Sequence, residues 1–210
     1  MNYRISAYAV WRKTDEESKP DVSFVPPLER RRLTGVERAA LSTAWKVKGE
    51  AEVPVVFASR WGEIGVTTKL MKQFHEDGEM SPAGFSASVH NAAPGAFSLL
   101  TKNHASYTAI AARARSLEAG LLEALSAQRE VVMVYAEEAT PELYRGEFRD
   151  EQAGCSLALR LTPAEDGEIS VVFGHEDRAP AAFASFVAFL EGRECSFTTA
   201  DLTLTRRVTS

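Results

Sequence analysis

A chain of 210 residues, 45% hydrophobic and 25% charged, has an ordinary globular make-up and the length to bury a substantial core, in one large domain or a domain with an extension. Its formal net charge of −5 excludes the basic footprint of a nucleic-acid binder, and Arg30-Arg31-Arg32 reads as a solvated approach to a helix. Cys155 and Cys195 lie far apart and outside any CxxC pair, which excludes a disulfide framework and a zinc knuckle. With no basic leader and no uninterrupted apolar run of about 18 residues, the expectation is a soluble, reduced, cytoplasmic protein without membrane contact.

Residues 4–11 (RISAYAVW) form the first predicted strand, followed by a charged loop through Pro26-Pro27. Leu33, Val36, Ala40, Ala44 and Val47, spaced by three and four, predict a helix, with Thr34 as N-cap and Glu37 completing a capping box. PVVFAS (54–59) predicts a short strand, and Thr67, Leu70, Met71 and Phe74 mark one face of a second helix. SPAGFSASVHNAAPG (81–95), rich in turn formers and small residues, predicts an irregular loop ahead of a short helix around 96–100. SYTAIA (106–111) is a third strand, and Leu117, Leu121, Ala124 and Leu125 give the next helix its stripe. VVMVYA (131–136), nearly all apolar, fits a strand covered on both faces.

SLALRL (156–161) and ISVVF (169–173), joined by the polar PAEDGE, predict a hairpin with a long loop. A helix carrying Phe183, Phe186, Val187 and Leu190 follows, then an alternating tail, SFTTADLTLTRR. Strand–helix alternation over 4–136, ending in an antiparallel pair, predicts an α/β fold with a mixed sheet. Buried in one of its apolar runs, Cys155 reads as a small hydrophobe. No GxGxxG follows a strand and no GxxxxGK[ST] occurs, so no nucleotide cradle is supported. His75, His90, His104 and His175 show no metal-ligand spacing, and neither a metal nor a cofactor is expected. There is no GxSxG elbow, and Ser86, Ser88 and His90 are neighbours only in sequence, whereas a triad is assembled in space.

Four strings in order, VVFASRWGEIG (55–65), FSASVHNAAPGAFSLLTKNHASYTAIAA (85–112), SLEAGLLEAL (116–125) and VVMVYAEE (131–138), resemble the N-terminal half of a β-ketoacyl synthase. SVHNA and VYAEEATPELY bring the chain near the short, divergent ketosynthase-like branch of that family. The resemblance spans residues 1–161 and implies a thiolase-like half-domain: a mixed five-stranded sheet with helices on both faces. Residues 162–210 are then a C-terminal hairpin and helix extension packed on the same domain.

In active family members the strand equivalent to SYTAIAA runs into a helix with a cysteine at the turn. The helix N-terminus there favours a thiolate, and free backbone amides can bind an oxyanion. The resemblance puts Arg113 at the nucleophile position, with Ala114, Arg115 and Ser116 completing the turn. Ser116 is expected to pack or cap the helix. The two family histidines that act as bases belong to a C-terminal half that the sequence does not match. His90 and Asn91, in a loop near the expected tunnel and interface, correspond to neither, and His90 reads as a loop anchor. Nucleophile and bases are thus both missing.

The resemblance also implies dimerisation through the edge strand, here Ser106, Tyr107, Thr108, Ala109, Ile110 and Ala111. The expected role is a non-catalytic, chain-length-factor-type subunit in bacterial fatty-acid-like or polyketide synthesis, with aryl polyene synthesis as the first candidate pathway. Its partner would be a full-length β-ketoacyl synthase, with an acyl carrier protein in transient contact. A homodimeric accessory protein and an acyltransferase using Ser116 or His90 are the alternatives. Two arginines at a helix N-terminus oppose its dipole by about 0.3–1 kcal/mol each, so each needs a carboxylate in the chain, an acidic group across an interface, or a path to water.

Overall fold

The strands, in chain order, are β1 (Asn2–Arg12), β2 (Val55–Ala58), β3 (Tyr107–Ile110), β4 (Val131–Glu137), β5 (Cys155–Pro163), β6 (Ile169–Phe173), β7 (Ser196–Thr198) and β8 (Leu202–Arg206). The helices are α1 (Pro27–Arg30), α2 (Gly35–Val47), α3 (Ile64–Asp77), α4 (Pro82–Ala87), α5 (Ala92–Thr101), α6 (Ser116–Ser126) and α7 (Phe183–Leu190). They come from a computed structural model that describes residues 1–144 and 153–207. The strands form one eight-stranded sheet in the order β3-β2-β4-β5-β1-β6-β8-β7, larger than the five strands expected. β2 runs parallel to β3 and to β4, and the remaining pairs are antiparallel, so the sheet is mixed.

Helices cover both faces. In β4, Val131, Met133 and Tyr135 enter the core beneath α6 and α7, while Val132, Val134 and Ala136 enter the core beneath α2 and α5. A strand buried on both faces has no polar alternation to show, which is why 131–136 reads as a continuous apolar run. β1 serves both cores through a bulge between Ile5 and Ala7: Tyr3 and Ile5 lie on the α6 side, Ala7, Ala9 and Trp11 on the α2 side. Without that extra residue, the side-chain period of two would keep all five on one face.

The capping box on α2 is present: Thr34 Oγ1 accepts from the Glu37 amide at 3.0 Å, and Glu37 Oε2 accepts from the Thr34 amide at 2.8 Å. The α6 stripe of Leu117, Leu121, Ala124 and Leu125 is buried. On α7, Phe186 and Phe189 are fully buried, each contributing about 1.5–3 kcal/mol relative to exposure.

Two further expectations need correction. β5 and β6 do not form a hairpin, because β1 lies between them and pairs with both. The PAEDGE loop instead crosses the start of β1, where the Ala164 amide donates to the Asn2 carbonyl at 3.1 Å. Close approach makes this crossing possible, since a Cβ on Gly167 would stand 2.4 Å from the Tyr3 carbonyl oxygen. The segment 81–95 is not irregular: Ser81 caps α4, accepting from the Gly84 amide at 3.2 Å with Pro82 at the first helical position. The apolar face of α3 is only partly covered, with Leu70 buried but Met71 56% and Phe74 54% exposed.

Gly167→Ala is expected to destabilise the chain by about 1–3 kcal/mol, the usual range for overpacking, and to lower Tm by several degrees. Thermal denaturation followed by circular dichroism checks this.

Candidate functional site

The C-terminal ends of parallel strands are where open α/β sheets place their sites. Here β2, β3 and β4 point their C-terminal ends the same way, and the turns that follow them meet. β3, at the edge of the sheet, leads through Ala112 into a 3₁₀ turn, Arg113–Arg115, and directly into α6. Arg113 holds φ at 53°, a left-handed conformation that non-glycine residues seldom adopt. Ser116 fixes it: its Oγ accepts from the Ala112 amide at 2.9 Å and donates to the Arg113 carbonyl at 2.8 Å. At 1% exposure, with its proton given to the Arg113 carbonyl and no base beside it, Ser116 is a bolt for the turn and is poorly placed to meet an acyl group.

The two arginines part company. Arg115 donates to Glu118 Oε2 at 2.9 Å and also to the Arg178 carbonyl. Glu118 is 1% exposed, and its other oxygen accepts from the Ala181 amide at 3.1 Å. A carboxylate in the first turn of α6 thus offsets the dipole that Arg115 opposes and ties the segment before α7 to the turn. The Arg113 side chain is exposed and, among the described residues, makes no hydrogen bond or ion pair. Ala114 is half-buried between them.

His90 Nε2 lies 3.0 Å from the Ser59 carbonyl oxygen, so that nitrogen carries the proton, and its ring stands edge-on to Phe57 with centroids 5.8 Å apart. The ring also packs on Gly62. His90 therefore anchors its loop to the end of β2. Asn91 is exposed at the start of α5, with its side chain making no cap. Ser106, Tyr107, Thr108 and Ala111 are exposed, while Ala109 and Ile110 are half-buried against the two cores. Cys155 sits buried at the start of β5, where burial, with Glu137 nearby, pushes its thiol up to about 12. A thiol held protonated in this way is no nucleophile.

The sequence reading missed a set of carboxyls, three buried and one half-buried, at this end of the sheet. Glu137 Oε2 accepts from Ser59 Oγ at 3.1 Å, and its Oε1 accepts from the Arg60 amide. Glu138 Oε1 accepts from the Gly65 amide at 2.5 Å, an approach that a Cβ at position 65 would block. Glu63 Oε1 accepts from Thr34 Oγ1 at 2.9 Å. Burial raises Glu37 and Glu138, and it pushes Glu137 up to about 7 and Glu63 up to about 8. One available signal was the pair of acids ending an otherwise apolar strand, VVMVYAEE, because such a position is buried in a parallel sheet. Among the described residues, no group of three or more His, Cys, Asp or Glu side chains could hold a metal ion, and no helix is long and apolar enough to cross a membrane.

The family model for the β-ketoacyl synthase N-terminal domain matches residues 7–188. No curated protein matches the chain in sequence. Among solved structures, the chain is similar to one in a ketosynthase (ApeO) in complex with its chain length factor (ApeC) from Xenorhabdus doucetiae. That similarity has a TM-score of 0.80 at 19% identity, over 98% of this chain and 100% of the other. A β-ketoacyl synthase from Burkholderia phymatum STM815 gives a TM-score of 0.55 at 11% identity, over 90% of this chain and 68% of its own. At such identities the likeness is one of fold, and the fold is thiolase-like.

Ser116→Ala is expected to lose about 1–2 kcal/mol of stability, because it leaves the Ala112 amide without its acceptor. Arg113→Gly should change stability in the opposite direction by up to about 1 kcal/mol, since glycine adopts positive φ freely. Urea denaturation of both variants reads the two signs.

Proposed function

Because the chain belongs to the β-ketoacyl synthase N-terminal domain family, we propose that it is a non-catalytic, chain-length-factor-type subunit that pairs with an active β-ketoacyl synthase. The pathway we assign is fatty-acid-like or polyketide synthesis in bacteria, with aryl polyene synthesis as the first candidate and the acyl carrier protein as a transient contact. One observation carries the reading: β3 runs through a left-handed Arg113 directly into α6, and the resemblance puts the family's cysteine at that turn. Ser116, the nearest hydroxyl, has both hydrogen-bonding directions occupied. His90 is committed to a backbone carbonyl. Decarboxylative condensation needs an activated thiol and bases at this turn, and none of these three residues supplies them.

The pairing rests on β3. It is the outermost strand on its side of the sheet, and no charged residue, proline or bulge protects its free edge. Native sheets blunt such edges or pair them. Tyr107 on this strand is 40% exposed and Leu99 on the adjoining α5 is 83% exposed, so the edge continues into an apolar flank. Addition of a partner strand supplies hydrogen bonds from the main chain and specificity from flanking side chains. The likeness to a chain from a ketosynthase–chain length factor complex points to the same kind of partner. Arg113, exposed and without a partner among the described residues, is then available to an acidic group of the second subunit.

Co-expression with a full-length β-ketoacyl synthase from the same genome tests this reading. The expected outcome is a heterodimeric mass on native mass spectrometry and condensing activity that depends on the present chain. Thr108→Glu, which puts a charge on the open edge, should weaken the complex at least tenfold and leave the circular dichroism of the isolated chain unchanged. A stable homodimer that ignores the ketosynthase would contradict it, as would acyl labelling of the isolated chain that Ser116→Ala removes.

A further inference from the structure

The turn at 59–65, which carries the chain from β2 into α3, is held by carboxyls that the subunit role does not use. α3 starts without a cap of its own, for its N-cap residue is Glu63 and that side chain makes no capping bond. Its first turn depends on groups from elsewhere in the chain. Glu138 takes the Gly65 amide at 2.5 Å, Glu137 takes the Ser59 hydroxyl and the Arg60 amide, and Ser59 Oγ accepts from the Gly62 amide at 2.8 Å. Beneath them Glu63 is 2% exposed. One of its oxygens accepts from Thr34, and the other, Oε2, has no hydrogen-bond partner among the described residues.

Charged and titratable groups come close from every side: Glu37 and Arg38 on α2, Glu137 and Glu138 at the end of β4, Arg60 in the turn, Lys69 on α3 and His90 packed on Gly62. Of these, Glu37 and Glu138 act on Glu63 directly, and both oppose its ionisation. Arg38 is engaged with the Leu33 and Arg30 carbonyls, and the charge of Lys69 acts on Glu138.

We propose that the 59–65 turn is a proton-operated latch, closed while Glu63 is neutral and opened when Glu63 loses its proton, releasing the first turn of α3 and the anchor of His90 on Ser59. An ionised carboxylate at Glu63 would be buried with one oxygen unpaired between two further acids, and opening the turn gives it water. The sign follows from linkage. Burial pushes the Glu63 carboxyl up to about 8 in the closed turn, from 4.5 in water. The closed state therefore keeps a proton that the open state has lost, and opening becomes easier as pH rises through that window, by about tenfold per pH unit, until it levels above the upper value. This latch is a property of the isolated chain and stands apart from the pairing with a ketosynthase.

Amide hydrogen exchange of the full chain tests it. Between pH 7 and pH 8 the protection of the Gly65 and Thr67 amides should fall about fivefold and then level off. Both amides should exchange faster than that of Met133 in β4, which marks an opening smaller than unfolding. In Glu63→Gln the fall should level off near pH 7, the midpoint to which burial pushes Glu137. Exchange of Gly65 and Thr67 at the rate of Met133, or an unchanged profile in Glu63→Gln, would overturn the proposal. Should that variant fail to fold, the ¹³C carboxyl resonance of Glu63 in the unaltered protein decides: a midpoint near 8 is expected, and one near 4.5 overturns it.

Discussion

Everything in this chain hangs on β1, which lies in the middle of the finished sheet. Nine of its residues pair with β5, and its opening residues pair with β6. The parallel α/β part, β3-β2-β4, therefore joins the antiparallel part, β6-β8-β7, only through β5 and β1. A single bulge moves the odd-numbered residues of β1 from one core to the other, so this central strand is packed on both faces of the sheet. Because β1 must wait for β5 and β6, residues 155–173 are synthesised before the centre of the sheet can close. Such non-local pairing has a large loop-closure cost and slows folding.

From this frame the site end of the sheet acquires its character. Short parallel strands stop in step, and the turns after them are fixed by side chains rather than by long helices. Ser116 holds the left-handed Arg113, Glu118 ties α6 to the segment before α7, and Glu137 and Glu138 gather the amides of the turn before α3. Strain of about 1 kcal/mol or more at a residue such as Arg113 persists only where its surroundings over-determine it. The turn is thus built with the care of a working site, although the residue at its tip can perform no acyl chemistry. The thiolase-like fold, kept whole around that turn, suits a role in which shape and an open strand matter and reactivity does not.

Much of this was legible in the sequence. Period-3.6 stripes located α2 and α6, continuous apolar runs located β2 and β4 because both their faces are buried, and Thr34 with Glu37 marked the capping box at its true position. Pairing was less accessible. SLALRL and ISVVF are neighbours in sequence, and nothing local reveals that the N-terminal strand slides between them. The turn formers in 81–95 concealed α4, whose Ser-Pro start signals a helix as strongly as a turn. The buried acids escaped notice because a carboxyl in a sequence reads as solvated surface, and its burial depends on what packs above it. For Arg115 the sequence leaves three outlets open, a carboxylate in the chain, an acidic group across an interface or water, and in the fold Glu118 takes it.

The most direct measurement is an experimental structure of the chain co-expressed with its ketosynthase. The expected result is β3 hydrogen-bonded along its free edge to the partner's edge strand, with Arg113 facing the interface and the acyl-accepting cysteine supplied by the ketosynthase. A complex in which Tyr107–Ile110 faces solvent, or a ketosynthase that forms its own dimer and leaves the present chain unbound, would contradict the assignment of this chain as a pairing subunit.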